Sequence, residues 1–142
     1  MENIENIQTN EPMENVNAEE TKPLETSLEI AEAIIAALDA KKAHGIKLLH
    51  VEDRTVITDY FVVCTGTSRT QVKALGDEAD YRLEKHGGEC LRTEGYDTGI
   101  WLLKDYGGVI LHVFNPQARE FYNLEKLYDG TTDVDITEIV TD

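Results

Sequence analysis

Thr65-Gly66-Thr67-Ser68 is the stretch of this chain that most resembles reactive machinery. It joins an apolar run to a helix-like one, and the exposed N–H groups at such a helix start can cradle an anion. Two-metal nucleotidyl transfer uses a similar Gly-Ser element. That chemistry also needs two carboxylates, one residue apart, on a facing strand. The one Asp-x-Asp is Asp133-Val134-Asp135, in an acidic stretch with no convincing strand pattern. The strand that would carry the pair reads Val109-Ile110-Leu111-His112-Val113, without a carboxylate. Ser68 is therefore read as a helix cap, and no catalytic, cofactor-binding or metal-binding residue is assigned.

The four histidines, His44, His50, His86 and His112, lack the i, i+4 spacing of a metal pair, and no CxxC occurs. Cys64 and Cys90 sit in apolar stretches and read as reduced, buried, small hydrophobes. His112 shares a strand face with Ile110 and Phe114 by the period of two. It reads either as a hydrogen-bonded, half-buried core histidine or as an interface contact. The segment Glu94-Gly95-Tyr96-Asp97-Thr98-Gly99-Ile100-Trp101 sets two aromatics and two acids around two glycines. Trp101, the one tryptophan, fits either a core or a contact. Tyr, Trp and acids together suit recognition of a basic partner with an apolar centre.

The elements that position these residues follow from periodicity. Thr26-Ser27-Leu28-Glu29 has capping-box spacing, and Leu28, Ala31, Ile34, Ile35 and Leu38 form one helical stripe. Gly45 is read as that helix's terminator. Strands are expected at Ile46–Val51 and Tyr60–Cys64. A second helix starts at Ser68, is striped by Val72, Leu75, Ala79 and Leu83, and ends at Gly87-Gly88. Strands at Glu89–Thr93, Ile100–Asp105 and Val109–Phe114 follow, the last two joined by a Tyr106-Gly107-Gly108 hairpin. Asn115-Pro116 opens a final helix through Arg119, Phe121, Leu124 and Leu127. The order is α-β-β-α-β-β-β-α. It predicts an α/β fold with a mixed sheet of about five strands and flanking helices.

The 142 residues carry a formal charge of −15. Residues 1–26 hold seven acids and one lysine, and residues 129–142 hold five acids and no base. Both ends read as acidic tails around a domain at 27–128, the first of them disordered and the second able to add weak structure through Val134, Ile136, Ile139 and Val140. A net-negative chain is repelled by phosphate backbones. Its partner on a ribonucleoprotein would be a basic protein, with no sequence-specific nucleic-acid contact. The longest apolar runs are strand-length, too short to span a bilayer. With neither an apolar signal core nor an Arg-rich leader, a cytoplasmic location is expected.

Three long segments resemble one known family. They are Thr58-Asp59-Tyr60-Phe61-Val62-Val63-Cys64-Thr65-Gly66-Thr67-Ser68, then Glu94-Gly95-Tyr96 with Trp101 to Phe114, then Arg119 to Tyr128. In this order and spacing they are similar to the ribosomal silencing factor (RsfS, Iojap) family. Tyr128 stands where that family favours tryptophan, and Gly108 where an Asp is common. The resemblance implies a nucleotidyltransferase-like fold without the activity. It also implies docking on ribosomal protein fourteen of the large subunit, a block to small-subunit joining, and repression of translation under nutrient limitation. Carried over by position, the docking residues are Glu94, Tyr96, Trp101, Asp105 and His112. A homodimer of the free protein is a further expectation. The alternatives are a large-subunit assembly factor and a nucleotide-binding enzyme.

Overall fold

The computed structural model describes residues 22–128 and 132–141. Helix α1 (Ser27–Ala40) opens with a complete capping box: Thr26 Oγ1 accepts from Glu29 N–H, and the Glu29 carboxylate reaches back to Thr26 N–H. Strands β1 (His44–His50) and β2 (Tyr60–Thr65) follow, then helix α2 (Arg69–Glu84). Strands β3 (Arg92–Glu94), β4 (Trp101–Asp105) and β5 (Val109–Phe114) come next. Two short helices, α3 (Pro116–Tyr122) and α4 (Leu124–Leu127), precede β6 (Thr132–Asp133).

The sheet order is β3-β4-β5-β2-β1-β6. Only β2 and β5 pair in parallel; every other neighbour is antiparallel. The mixed α/β architecture expected from the sequence is present. The central pair is apolar nearly throughout because it is covered on both faces. On one face, Val62, Cys64, Val109, Leu111 and Val113 meet Ile34, Ile35 and Leu38 of α1 and Val72, Leu75 and Leu83 of α2. On the other, Leu49, Phe61, Val63, Ile110 and Phe114 meet Ala118 and Leu124 of α3 and α4.

Four local expectations change. Helix α1 ends at Ala40, and Lys42 rather than Gly45 takes the left-handed turn behind it; Gly45 lies inside β1, where the register shifts against β2. The third strand is Arg92–Glu94, shorter and later than Glu89–Thr93. The final helix breaks at Asn123, whose φ is 45°. Domain edges also move. Residues 1–21 of the expected N-terminal tail lie outside the described residues, but Leu24 packs on the core and Thr26 caps α1.

The C-terminal stretch differs most. Of residues 129–142, expected as an acidic tail, Thr132 and Asp133 form a sixth strand beside Leu49 and His50. Val134, Ile136, Ile139 and Val140 then pack on the core, and Thr141 bonds Asp39 at 3.1 Å. Asp133, Asp135 and Glu138 are exposed while the spaced aliphatics are partly buried, so an acidic composition coexists with packed structure. We expect deletion of residues 132–142 to lower stability by about 1–2 kcal/mol after the segment's ordering entropy is returned. That is roughly 5–10 °C in Tm for a domain of this size. Thermal unfolding checks it, and an unchanged midpoint would mean the segment adds nothing.

Candidate functional site

The loop that first suggested anion chemistry is occupied by its own side chains. Ser68 caps α2 by accepting from Gln71 N–H at 3.0 Å. Thr67 N–H and Oγ1 both donate to Gln71 Oε1, and Gly66 N–H donates to the Phe114 carbonyl. Thr65 Oγ1 accepts from Arg119 Nη1 at 2.8 Å. Asp133 does begin on a strand, but β6 is the far edge, where the carboxylate lies 3.6 Å from Lys47. Cys64 is buried, and desolvation pushes its thiol up to about 12, so it stays protonated and unreactive. Cys90 is only half-buried, with Sγ 3.1 Å from the Arg92 carbonyl.

At the same end of the sheet, the face turned away from α1 and α2 carries an aromatic cluster. Trp101, Leu103 and Asp105 alternate onto the same side of β4 as Ile110, His112 and Phe114 of β5. Trp101 is half-buried, its ring centroid 5.0 Å from Phe114 and 4.6 Å from Tyr122. Its indole Nε1–H donates to His112 Nδ1 at 3.1 Å. His112 is only 4% exposed and stands edge-on to Phe61 at 4.7 Å. Glu94 lies opposite Leu103 and lines a shallow groove with Gly95, Trp101 and Leu103. It pairs with Arg92 at 3.4 Å on the surface.

Of the five candidates, Glu94, Trp101 and His112 are thus brought together. Asp105 shares the face but sits at its hairpin end, where it accepts from Gly107 N–H at 2.9 Å and lies 4.0 Å from Arg92. Tyr96 does not join them. Its ring packs on the helix side, with its hydroxyl donating to Asp77 at 3.0 Å and Lys73 over the ring at 4.8 Å. The cause is Gly95, whose φ of 77° turns the chain and where a Cβ would collide with the Trp101 carbonyl. His112 is almost wholly buried rather than half-buried.

The face also includes residues that sequence reading missed. Tyr122, 46% exposed, meets the Trp101 ring, and Phe121, 80% exposed, packs edge-on against Tyr122; Leu127, 68% exposed, lies on α4. Read as one continuous helix, Phe121, Leu124 and Leu127 make an inward stripe. The left-handed Asn123 breaks it, sending Leu124 in and leaving Phe121 and Leu127 out. The adjacent Phe121 and Tyr122 were the available signal: neighbours on a helix point about 100° apart, so both cannot face the core.

Comparison with known proteins gives this face its context. The profile of the family described as "Ribosomal silencing factor during starvation" matches residues 24–142. A curated ribosomal silencing factor from Halalkalibacterium halodurans is 34% identical over 113 residues, spanning 80% of this chain and 97% of its own. One from Bacillus subtilis is 40% identical over 66% of this chain and 79% of its own. The chain belongs to the RsfS family. A crystal structure of a Chromobacterium violaceum protein superimposes with a TM-score of 0.73 at 31% identity, covering 81% of this chain and 96% of that one. A mouse relative, "Mitochondrial assembly of ribosomal large subunit protein 1", is 31% identical over 67% of this chain and 43% of its own. The residues 24–142 that match RsfS include the C-terminal return strand as well as the aromatic face.

The buried imidazole makes a pH prediction. Desolvation holds His112 down, from 6.5 to about 3. An unfolded chain therefore takes up a proton below about pH 6.5 that the folded RsfS domain refuses until about pH 3. The group's contribution is intact above that window and is lost as pH falls through it. Relative to a His112→Phe variant, we expect the protein to lose stability by about 1 kcal/mol per pH unit between pH 6 and 4. Denaturant unfolding of both at several pH values tests this; parallel curves would contradict it.

Proposed function

We propose that this chain docks on the large ribosomal subunit through the basic ribosomal protein fourteen, obstructs joining of the small subunit, and represses translation when nutrients are limiting. It acts in the cytoplasm, without a cofactor and without reading nucleic-acid sequence. The observation that carries this reading is the Trp101-centred face. A half-buried indole, Tyr122 against it and exposed Phe121 against Tyr122 form an apolar centre, with Glu94, paired to Arg92, at its margin. Such a surface matches a basic protein with an apolar patch better than a phosphate backbone.

Docking should show itself as co-sedimentation with isolated large subunits, but not small ones, and as a lower yield of joined ribosomes. Equal binding to both subunits, or unaltered joining at saturating protein, would sink the proposal. Trp101→Ala removes the central ring, and such hot spots contribute about 2 kcal/mol or more. At ~1.4 kcal/mol per tenfold, the affinity should fall by more than tenfold, chiefly through faster dissociation. Glu94→Lys should instead slow association, with an effect that shrinks at high salt. Melting temperatures of both variants separate lost docking from lost folding. If folded Trp101→Ala binds normally, the centre of the surface is elsewhere.

A second reading, escort of immature large subunits, is favoured by the mouse relative's name. Comparing affinity for mature and precursor subunits discriminates: a strong preference for precursors would favour escort. An enzymatic reading requires turnover of a nucleoside triphosphate with Mg²⁺. We expect none, because β5 and its neighbours offer no paired carboxylates opposite Ser68. Turnover abolished by Ser68→Ala would reverse that expectation.

A further inference from the structure

We infer that His112 is a positioning residue for docking: through Nδ1 it fixes the orientation of the Trp101 indole that the partner meets. The inference rests on the docking reading above and adds a device to it. Trp101 Nε1–H donates to His112 Nδ1, which must therefore carry a lone pair, leaving the ring proton on Nε2. That Nε2 is buried and has no hydrogen-bond partner among the described residues. At 4% exposure, between Phe61 and Phe114, the imidazole itself is out of a partner's reach.

An unpartnered buried N–H is unfavourable, and a phenyl or leucyl side chain at this place would avoid it. Fold stability alone therefore does not call for histidine here. What histidine supplies, and a hydrocarbon cannot, is one acceptor, and the indole uses it. Phe114 and Tyr122 support the Trp101 ring by apolar contact, which is weakly directional. The Nε1–H bond is directional and selects one ring setting. An indole already held in its docking orientation loses less freedom on binding.

Because Trp101 is the chain's one tryptophan, its indole N–H gives a single, assigned NMR resonance. The test uses the full chain, its His112→Phe and His112→Asn variants, and sedimentation with isolated large subunits. The Asn Oδ1 occupies the place of Nδ1 and keeps the acceptor. His112→Phe should melt no lower than the unmodified protein at neutral pH. It should lose the protection of the indole N–H against solvent exchange and bind the large subunit on the order of three- to tenfold more weakly. His112→Asn should keep the protected indole N–H and most of the affinity. In a Trp101→Phe background, His112→Phe should weaken binding no further. His112→Leu repeats the test if the phenyl ring does not fit. Unchanged affinity in a folded His112→Phe or His112→Leu variant overturns the inference, as does a His112→Asn variant with a protected indole N–H but no recovered binding. Failure of the unmodified chain to bind large subunits overturns the docking reading itself, a separate outcome.

Discussion

The parallel pairing of β2 with β5 is the constraint on which the rest of the molecule depends. These two strands are apolar on both sides, so both faces of the sheet must be covered. Helices α1 and α2, of 14 and 16 residues, cover one face fully. Among the described residues, the other face has only α3 and α4, of 7 and 4 residues. They shield Phe61, Val63 and Ile110 and leave the β4 side open. The aromatic face around Trp101 is therefore a consequence of unequal cover. A sheet with too little helix on one side either aggregates or meets a specific partner there, and large rimmed apolar surfaces mark such sites.

Polar ties decide how that unequal cover is held. Arg119 of α3 donates to Glu125 of α4, to Thr65 Oγ1 at the end of β2 and to the Gly45 carbonyl in β1. One planar guanidinium thus pins both short helices to two strands, which no apolar contact of that size could orient. On the opposite face, Asp80 of α2 accepts from the buried Lys104 ammonium and from the Tyr106 hydroxyl, both at 2.7 Å. Burial and Asp80 together raise the Tyr106 phenol, so it remains a donor. At the hairpin, Ser27 Oγ donates to Asp59, and a Cβ on Gly108 would collide with that hydroxyl. Glycine therefore suits this position, because the space a side chain would need is already filled by Ser27.

The sequence made some of this legible and hid the rest for physical reasons. Caps were readable because their chemistry is local: Thr26, Ser68 and Asn115 each accept the N–H three residues on. The continuous apolar runs of β2 and β5 marked the buried pair, and the missing carboxylates on β5 were visible directly. Chain reversals were less readable. Lys42 and Asn123 adopt left-handed backbone that glycine would normally signal, so a helix end and a helix break were misplaced. Tyr96 was grouped with Trp101 by nearness in sequence, but Gly95 sends them to opposite faces. In the C-terminal segment the acids outweighed Val134, Ile136, Ile139 and Val140, whose spacing offers weak structure, because their packing depends on the free edge of β1.

The fold class and the docking surface are connected through β4 and β5. A nucleotidyltransferase-like sheet that performs catalysis needs carboxylates on the strands facing its Gly-Ser loop. Here the corresponding strand face presents Ile110, His112 and Phe114, with Trp101 and Leu103 beside them. No carboxylate stands in these places; the rings make a largely apolar area with one directional bond, from Trp101 to His112, inside it. Side-chain chemistry, not the backbone, decides what such a strand face can do. Charge acts alongside it. With Glu94 at the margin and a strongly acidic chain behind it, the field favours a basic partner and opposes bare phosphate. For any surface of this kind, long-range attraction governs the rate of encounter, while short-range fit governs the rate of escape.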